Sequence, residues 1–541
     1  MKKFTKLIAV LSAVALISGV VAGCGGTEKE KEKEVAKTDG TTFSYWTVID
    51  GDSSSTITNY NEMMMYQELE KRTNVHIDFI HPVAGSTGNE AFMVMVSGTT
   101  MPDMVEYNWN GYNGGAQQAL DDGIIVTLND YLKDYAPNYY SYLEGDKAAD
   151  NNHIYKLQTT TDEGNYYGFN VLNVGSIRGF AGLFVRSDKL NEWGMEVPST
   201  IDEWTAVFAK AKAEGFEKPF TCDNNVISFV SADVHGFNTA FDVGKLFYVE
   251  GDDVVFAPFQ NGYKEYVAQM AEWAKAGYLD TSYITNDSSK IEGNMANDIS
   301  IAAWGYVGGG LGKILPALKE KNESYDLVGC PYPVANKGDV SRFQMVYPEA
   351  NDKAIAITKD CGNVEAACTW ADYFYSEEGM ILQLFGIEGD TFVKEEREDG
   401  THYVYTDKIR KHEGFQSVGE ALYHYLLPCN HPGFNQHEDY LYGYYPYQSQ
   451  LDALETWNAG VEKARPHKLP PVANTEEELR EIIDIQEIAE PELEIAINDI
   501  ILGKKSIDSY DDAIKAAKDN GYDRWIEIMQ ESYNRYLAKL K

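Results

Sequence analysis

Short apolar stretches alternate with amphipathic ones in the part of the chain that follows residue 40. Residues 42–48, 75–80 and 102–107 have the β-branched, aromatic or alternating composition of strands. Residues 63–72 and 91–98 lie between them with the spacing of amphipathic helices, and the second run ends at a glycine. This strand–helix–strand–helix–strand order predicts βαβ units and a largely parallel sheet.

A second group of elements follows farther along the chain. The apolar runs at residues 182–186, 299–304 and 354–357 predict buried strands. Thr200 precedes a longer amphipathic run and Glu203 comes three residues later, which is the spacing of a helix capping box. The fold class predicted for the whole chain is therefore α/β.

The last part of the chain predicts helices. Thr475 and Glu478 have the spacing of another capping box, and apolar residues then recur at helical intervals. Residues 523–541 predict a final helix with an aromatic and aliphatic side. A chain of 541 residues is too long for one core, so we expect two lobes with a helical C-terminal extension.

The first 40 residues have the pattern of an export signal. Three lysines precede an apolar run over residues 7–21, and small residues then lead to Cys24. This arrangement resembles the lipobox of bacterial lipoproteins and predicts a signal peptide over residues 1–23 with lipid attached to Cys24. Residues 24–40 are rich in Glu and Lys and predict a solvated tether. The alternative is an ordinary secreted protein in which Cys24 is incidental.

The charge and the cysteine content narrow the function classes. The formal net charge is −38, which argues against nucleic acid and anionic lipid headgroups as ligands. Six cysteines without a CxxC pair do not indicate a disulfide framework, a metal centre or a redox site. His431, His437 and Glu438 are close in sequence, but the turn residues between them argue against a metal site, and we expect none.

Catalytic signatures are missing from the chain. It has no GxSxG, HExxH or GxxxxGK[ST] segment, so we expect no catalytic residues, no enzyme activity and no cofactor. A carboxylate pair for glycoside cleavage stays open, because 84 acidic residues supply such pairs throughout the chain.

Aromatic and polar residues recur where predicted strands end. In open α/β sheets, ligands bind beyond the carboxyl ends of the strands. Aromatic faces there can stack on a sugar ring while amides and carboxylates bond its hydroxyls. The residues at such positions, which predict ligand contacts, are Trp46, Asn108, Trp109, Trp304, Tyr306 and Glu349.

Several segments together resemble the extracellular solute-binding proteins of the family-1 type, and within them the large lipoprotein subgroup. Residues 183–204, LFVRSDKLNEWGMEVPSTIDEW, are similar to the strand–helix–PxTxxEW signature of that family. Residues 97–104 resemble its SGxxPD segment with one additional residue. SEEGM and FGIEGD, within residues 374–390, resemble its SxEG and GxEG segments, and residues 500–536 resemble its C-terminal helical pair.

The resemblance implies two discontinuous α/β lobes of the periplasmic-binding-protein type, joined by a hinge. The expected boundaries are 41–170 plus 299–347 for the first lobe and 171–298 plus 348–541 for the second. Residues 167–170 and 347–350 are expected near the hinge. Glu388 and Gly389 match the GxEG segment, and Glu388 is the motif-matched ligand candidate. Residues 440–447, rich in tyrosine, predict either a cleft rim or a packed surface loop.

The resemblance also implies a function. We expect a membrane-tethered, extracytoplasmic receptor that captures a carbohydrate, in particular an oligosaccharide, and delivers it to the permease of an ABC importer. A peptide or polyol ligand stays open, as does a surface glycan-binding protein or glycosidase that acts without a transporter. An orphan sensor that partners with a signalling membrane protein is a third reading. We expect a monomer that binds no nucleic acid.

Overall fold

The structure is a computed structural model that describes residues 40–51, 53–83 and 87–539. The predicted signal peptide, Cys24 and the tether up to residue 39 lie outside the described residues. Within the described ranges, no helix combines the length and apolarity that a bilayer crossing requires.

The strands include every one predicted from the hydrophobic pattern. In chain order they are β1 Thr41–Trp46, β2 Val75–Ile80, β3 Met104–Asn108, β4 Phe169–Asn173, β5 Ala181–Arg186, β6 Phe220–Thr221, β7 Phe247–Glu250, β8 Asp253–Phe256, β9 Ala302–Tyr306, β10 Leu327–Gly329, β11 Ala350–Ile357, β12 Phe392–Arg397, β13 Gly400–Tyr405 and β14 Gly433–Asn435.

The α-helices vary from a single turn to 26 residues. In chain order they are α1 Met64–Thr73, α2 Gly88–Val96, α3 Gly115–Asp121, α4 Leu132–Tyr135, α5 Pro137–Leu143, α6 Ile154–Thr159, α7 Ser187–Trp193, α8 Ile201–Ala213, α9 Asn224–Ile227, α10 Asn261–Ala276, α11 Ser288–Ala296, α12 Gly312–Lys321, α13 Val364–Asp372, α14 Glu377–Leu384, α15 Asp407–Arg410, α16 Val418–Tyr425, α17 Glu438–Tyr444, α18 Gln448–Asn458, α19 Val461–Ala464, α20 Glu476–Ile501, α21 Tyr510–Asp519 and α22 Tyr522–Ala538.

The larger sheet has six strands in the order β14-β4-β11-β3-β1-β2. β1 pairs in parallel with β2 and β3, as the βαβ pattern predicted. β11 is antiparallel to both β3 and β4, so the sheet is mixed. The reason is that β11 enters the sheet at the edge where β1 and β3 end, and therefore runs against them.

The smaller sheet has four strands in the order β10-β5-β9-β6. β9 is antiparallel to β5 and parallel to β6, and β10 is antiparallel to β5. The expected boundaries assigned β9 to the first lobe, with β1 to β3, and β11 to the second lobe. The structure has the reverse arrangement, since β9 lies in the smaller sheet and β11 in the larger one. β9 pairs with β5 over five residues, and the chain crosses back only after β10. Together the two sheets confirm the α/β fold class.

Three links connect the halves that carry the two sheets. Residues 174–180 join β4 to β5, residues 330–349 join β10 to β11, and residues 436–447 lead from β14 to α18. The first two links are bonded to each other, since the Tyr347 N–H donates to the Arg178 carbonyl at 2.8 Å. The predicted hinge position near residue 347 falls in a link, whereas Phe169 and Asn170 belong to β4 inside the larger sheet.

The C-terminal helices pack mainly on the half with the smaller sheet. Trp525 of α22 contacts Phe247 with ring centroids 5.1 Å apart, and Tyr522 contacts Phe256 at 4.7 Å. α20 touches both halves, because Glu476 accepts from Asn113 at 3.5 Å and Glu494 from Asn224 at 2.6 Å.

Both predicted capping boxes are confirmed. The Glu203 N–H donates to the Thr200 hydroxyl at 3.3 Å, and the Glu478 N–H donates to the Thr475 hydroxyl at 3.2 Å. Each glutamate bonds back to the N–H of its threonine, so two free backbone groups at each helix start are satisfied.

Candidate functional site

The ends of strands from both sheets meet across one gap. β1 and β3 end at the edge where β11 begins, and β6 and β9 end at the edge where β5 begins. Seven residues lead from β4 to β5 and span at most about 25 Å, so these two edges face each other. Neither β1, β3, β6 nor β9 continues into the other sheet. We call the region between these two edges the cleft.

Tyr306 is the aromatic residue most open to the cleft at the edge of the smaller sheet. It ends β9 and keeps 42% of its surface exposed. Its ring lies edge-on to the Trp304 indole at a centroid distance of 5.5 Å. Trp304 itself is 8% exposed and donates its Nε1–H to the His235 carbonyl at 2.8 Å. Trp304 thus supports Tyr306 and anchors the neighbouring loop.

The charges of two carboxylates act on Tyr306. Partial burial raises the pKa of Tyr306, and the charges of Asp233 and Asp223 raise it further. Asp223 lies two residues after the end of β6, and Asp233 pairs with Lys468 at 2.8 Å. Carboxylates beside an exposed ring match the contacts that sugar hydroxyls and a sugar face require.

The turn after β6 carries acceptor oxygens without a donor. Asp223 Oδ1 and Asn224 Oδ1 are buried and accept no hydrogen bond from any described residue. A buried acceptor without a donor is costly, so a native structure that keeps one needs a reason for it. The turn therefore keeps two acceptors whose donors do not come from the described residues.

At the edge of the larger sheet, the predicted tryptophans belong to the core. Trp109 is fully buried and donates its Nε1–H to the Ala354 carbonyl at 3.1 Å. Trp46 is 3% exposed and packs against Phe92 at 6.0 Å. Neither ring is open to a ligand in this structure, which corrects the expected ligand contacts for both. Of the three residues predicted as ligand contacts at this edge, only Asn108 is exposed.

Glu349 is engaged in holding the links together. Its carboxylate pairs with Arg465, lies 4.0 Å from Arg178 and accepts from the Gln158 amide at 3.2 Å. Its backbone carbonyl accepts from the Asn173 N–H at 2.7 Å. Glu349 therefore bridges the link that precedes β11 to the end of β4, instead of presenting a free carboxylate to the cleft.

Glu388 lies in a turn before the β12–β13 hairpin. Its carboxylate is 3.6 Å from Lys394 and more than half of the side chain is exposed. Gly389 has a φ of +83° and donates its N–H to the Phe392 carbonyl at 2.8 Å. The GxEG segment thus has a structural reason for its glycine, which is the left-handed backbone of this turn.

The tyrosine-rich residues 440–447 pack beside the loop that follows Tyr306. A Cβ atom on Gly308 would lie 3.5 Å from the rings of both Tyr444 and Tyr445. Tyr445 is 9% exposed, whereas Tyr442 is 65% exposed. The inner side of the segment packs against the smaller-sheet half, and its outer side faces solvent.

Sequence reasoning missed Asp223 and Asp233, and it placed Tyr347 near the hinge without choosing it as a ligand contact. Burial, Tyr306 and Asp233 raise the pKa of Tyr347 to about 12, which places this tyrosine beside the same group. Asp223 was missed because β6 has only two residues and shows no strand periodicity. The signal that could have found it is the turn-like sequence Cys222-Asp223-Asn224, which follows Phe220 and Thr221.

The histidines that were considered for a metal do not form a metal-binding group. His431 is buried and its Nδ1 lies 3.0 Å from Glu106, while His437 accepts from the Asp439 N–H at the start of α17. Throughout residues 40–51, 53–83 and 87–539, no cluster of three or more His, Cys, Asp or Glu side chains is placed to hold a metal ion.

Two cavities are formed by residues of the larger-sheet half and the C-terminal helices. One, of about 470 Å³, lies between helices α3 and α6 and the C-terminal helices, and its lining includes Asn110 and Arg535. The other, of about 600 Å³, lies beside the links and is lined by Tyr347 and Glu349 among others. Both have volumes usual for ligand sites.

Comparison with known proteins places this geometry in a family. Residues 53–381 match the family model described as bacterial extracellular solute-binding protein. The fructooligosaccharide ABC transporter substrate-binding protein FusA of Streptococcus pneumoniae serotype 4 is 24% identical over 417 residues, which are 72% of this chain and 72% of that protein. The polygalacturonan/rhamnogalacturonan-binding protein YtcQ of Bacillus subtilis is 27% identical over 218 residues, 39% of this chain and 38% of that protein.

Solved structures share the fold. The structure of S. pneumoniae FusA in complex with kestose has a TM-score of 0.69 at 19% identity and covers 92% of this chain and all of that one. A solute-binding protein associated with an HMO-binding ABC transporter of Bifidobacterium longum infantis has a TM-score of 0.72 at 17% identity, with 92% and 99% coverage. The matched family is the one that the sequence motifs predicted. Because its model spans more than half of the residues, this chain belongs to the bacterial extracellular solute-binding protein family.

Proposed function

We propose that this protein captures an oligosaccharide in the cleft and delivers it to the permease of an ABC importer. The observation that carries the proposal is the exposed ring of Tyr306 at the end of β9, where the charges of Asp233 and Asp223 help to raise its pKa. FusA, which matches 72% of this chain, is a fructooligosaccharide receptor of such a transporter. Trp304, Asn108 and Tyr347 complete the proposed site.

The acidic surroundings favour a neutral oligosaccharide over one that contains uronic acids. Asp223 and Asp233 lie beside Tyr306, and the whole chain carries a formal charge of −38. Carboxylates accept hydrogen bonds from sugar hydroxyls but repel a sugar carboxylate at the same place.

Binding works by closure of two lobes in this proposal. The sheet membership supports a first lobe of about 41–173 plus 350–435 and a second of about 181–329 plus the C-terminal helices. A ligand that touches both lobes only when they are closed shifts the population toward the closed form. A shift from 1:99 to 99:1 requires about 5.5 kcal/mol of differential binding.

The protein acts as a receptor and not as an enzyme, held outside the cell by lipid on Cys24. The chain lacks the catalytic segments of hydrolases, and its family consists of solute-binding proteins. We infer a monomer tethered beside its permease, where the tether raises the local receptor concentration.

A thermal-shift screen tests the function. The panel contains kestose, a galacturonate oligomer, a short peptide and a polyol, and we expect saturable stabilisation by a neutral oligosaccharide only. Reducing ends are measured in parallel. Stabilisation by the peptide or the polyol alone, or release of new reducing ends, would overturn the oligosaccharide-receptor proposal. Loss of cell-surface retention in Cys24→Ser, with binding intact, tests the lipid anchor separately.

A further inference from the structure

A buried ammonium group lies under the turn that carries Asp223 and Asn224. Lys245 is 1% exposed and belongs to the half with the smaller sheet. Its Nζ donates to the Asn225 carbonyl at 2.9 Å and to the Val226 carbonyl at 2.6 Å. Both acceptors lie in α9, the single helical turn that follows Asp223.

The carbonyls of α9 need partners from elsewhere, because the turn ends inside the protein. A helix leaves its last four carbonyls without a partner of its own. Val226 and Ile227 are buried, so water does not supply the missing donors. The Asn224 carbonyl is taken by the Ser228 N–H at 2.7 Å, and the Ile227 carbonyl accepts from the Tyr266 hydroxyl at 3.2 Å.

Lys245 serves the remaining two carbonyls. One side chain thus completes the hydrogen bonding of the whole turn, and its positive charge lies at the helix C-terminus, where a cation is favourable. Among the described residues, Lys245 has no ion-pair partner, and burial lowers its pKa to about 7. An ammonium group buried without an ion-pair partner is costly, so its retention indicates a role that an apolar side chain cannot fill.

We propose that Lys245 is a positioning residue of the cleft, which fixes the Asn224–Ile227 turn so that Asp223 and Asn224 face the oligosaccharide beside Tyr306. The inference rests on the proposed function for its final step, the effect on binding. Its first step, the fixing of the turn, concerns the unliganded protein alone.

The test compares Lys245→Met and Lys245→Arg with the unmodified protein. Lys245→Met keeps the length of the side chain and removes the donors. Lys245→Arg keeps the donors, and a cavity of about 160 Å³ beside Lys245 gives room for the larger group. Lys275→Met, which removes an exposed lysine of α10, is the matched control.

Hydrogen exchange of the unliganded variants is the first measurement. We expect the Val226 and Ser228 amides to exchange at least about tenfold faster in Lys245→Met, because the Asn225 and Val226 carbonyls lose their donor. Amides of α10 should be unchanged, and Lys245→Arg should restore most of the protection. Unchanged exchange in Lys245→Met would overturn the proposal whatever the protein binds.

Affinity is the second measurement, with the panel oligosaccharide that gives the largest thermal shift. We expect about tenfold weaker binding by Lys245→Met, recovery in Lys245→Arg and no change in Lys275→Met. Faster exchange with unchanged affinity would show that the turn does not position ligand groups, and would overturn the proposal. Absence of binding by any panel member counts against the proposed function, whereas the exchange result stands by itself.

Discussion

The two edges that border the cleft are built in opposite ways. At the edge of the larger sheet, Trp46 and Trp109 are buried and contribute to the core. At the edge of the smaller sheet, Trp304 is largely buried, but Tyr306 next to it keeps 42% of its surface exposed. The same position in a strand thus gives a structural residue on one side and a candidate ligand platform on the other.

The buried charged residues under the two edges also differ, because one is paired with opposite charges and the other is bonded to backbone groups. Burial opposes ionisation of Glu106 under the larger sheet, but Lys353 at 2.7 Å and His431 at 3.0 Å together hold its pKa below the usual range. Lys245 under the smaller sheet has backbone carbonyls as acceptors. The larger-sheet edge is therefore a charge-balanced support, and the smaller-sheet edge depends on one lysine.

The largest effect is expected for Trp109→Ala at the larger-sheet edge. Removal of a fully buried tryptophan and of its bond to Ala354 should lower the free energy of unfolding by about 3–5 kcal/mol. Urea unfolding measures this change. At temperatures where the variant is folded, its oligosaccharide affinity should stay within about twofold. A stable variant with lost affinity would show that Trp109 contacts the ligand.

Glu106→Gln should also act on stability. The change leaves Lys353 and His431 without their carboxylate, and Lys353 can reach solvent in part, so we expect a loss of about 2–3 kcal/mol. Glu388→Gln, at an exposed ion pair with Lys394, is the control and should change stability by less than about 0.5 kcal/mol. If both variants lose the same stability, the buried ion pairs of Glu106 contribute no more to the fold than the exposed pair of Glu388.

Tyr306→Ala should have the opposite profile at the smaller-sheet edge. Because the ring is exposed, we expect a stability change below about 1 kcal/mol and a loss of oligosaccharide affinity of at least about tenfold. Calorimetric titration measures the affinity. Tyr442→Ala, at an exposed tyrosine of the 440–447 segment, is the matched control. If Tyr306→Ala binds as tightly as the unmodified protein, the ring is not part of the site.

The smallest effect is expected at the start of α8 and depends on pH. The Lys337 ammonium at 2.8 Å and the Ser199 N–H and hydroxyl outweigh partial burial and lower the pKa of Glu203 to about 2. A lowered carboxyl pKa stabilises the fold above the unfolded-state value near 4.5, and this gain is lost as the pH falls toward 2.

Glu203→Gln keeps the capping-box geometry and removes the charge. The variant should be less stable than the unmodified protein by under about 1 kcal/mol at pH 7, since the pair is partly exposed. The difference should shrink between pH 4.5 and 2 in thermal unfolding. A difference that grows toward acid pH contradicts the assigned role of the charge.

The individual strands and helices could be predicted from the sequence, but the sheet that each later strand joins could not. β1, β2 and β3 follow from hydrophobic alternation, and the start of α8 follows from the Thr200–Glu203 spacing. Which sheet β9 joins depends on pairing with β5 more than 110 residues earlier in the chain, and no local pattern records that partner.

The site was predictable only in part for a similar reason. A strand-end aromatic side chain can point to a core or to a cleft, and this depends on what covers the strand. Phe92 of α2 covers Trp46, whereas residues beside Tyr306 leave its ring open. Asp223 lies after a strand of two residues and is marked only by a turn-like sequence, whereas Lys245 acts from 20 positions away and has no local signature.

Helix α20 is a suitable place to attach a dye that reports movement of the two halves. Its 26 residues extend about 39 Å and carry hydrogen bonds to Asn113 in one half and Asn224 in the other. Closure of the lobes must change the position of at least one of these ends. A dye attached at Ile488, which is 59% exposed on this helix, would report that movement from outside the cleft, without occupying the space that the sugar needs.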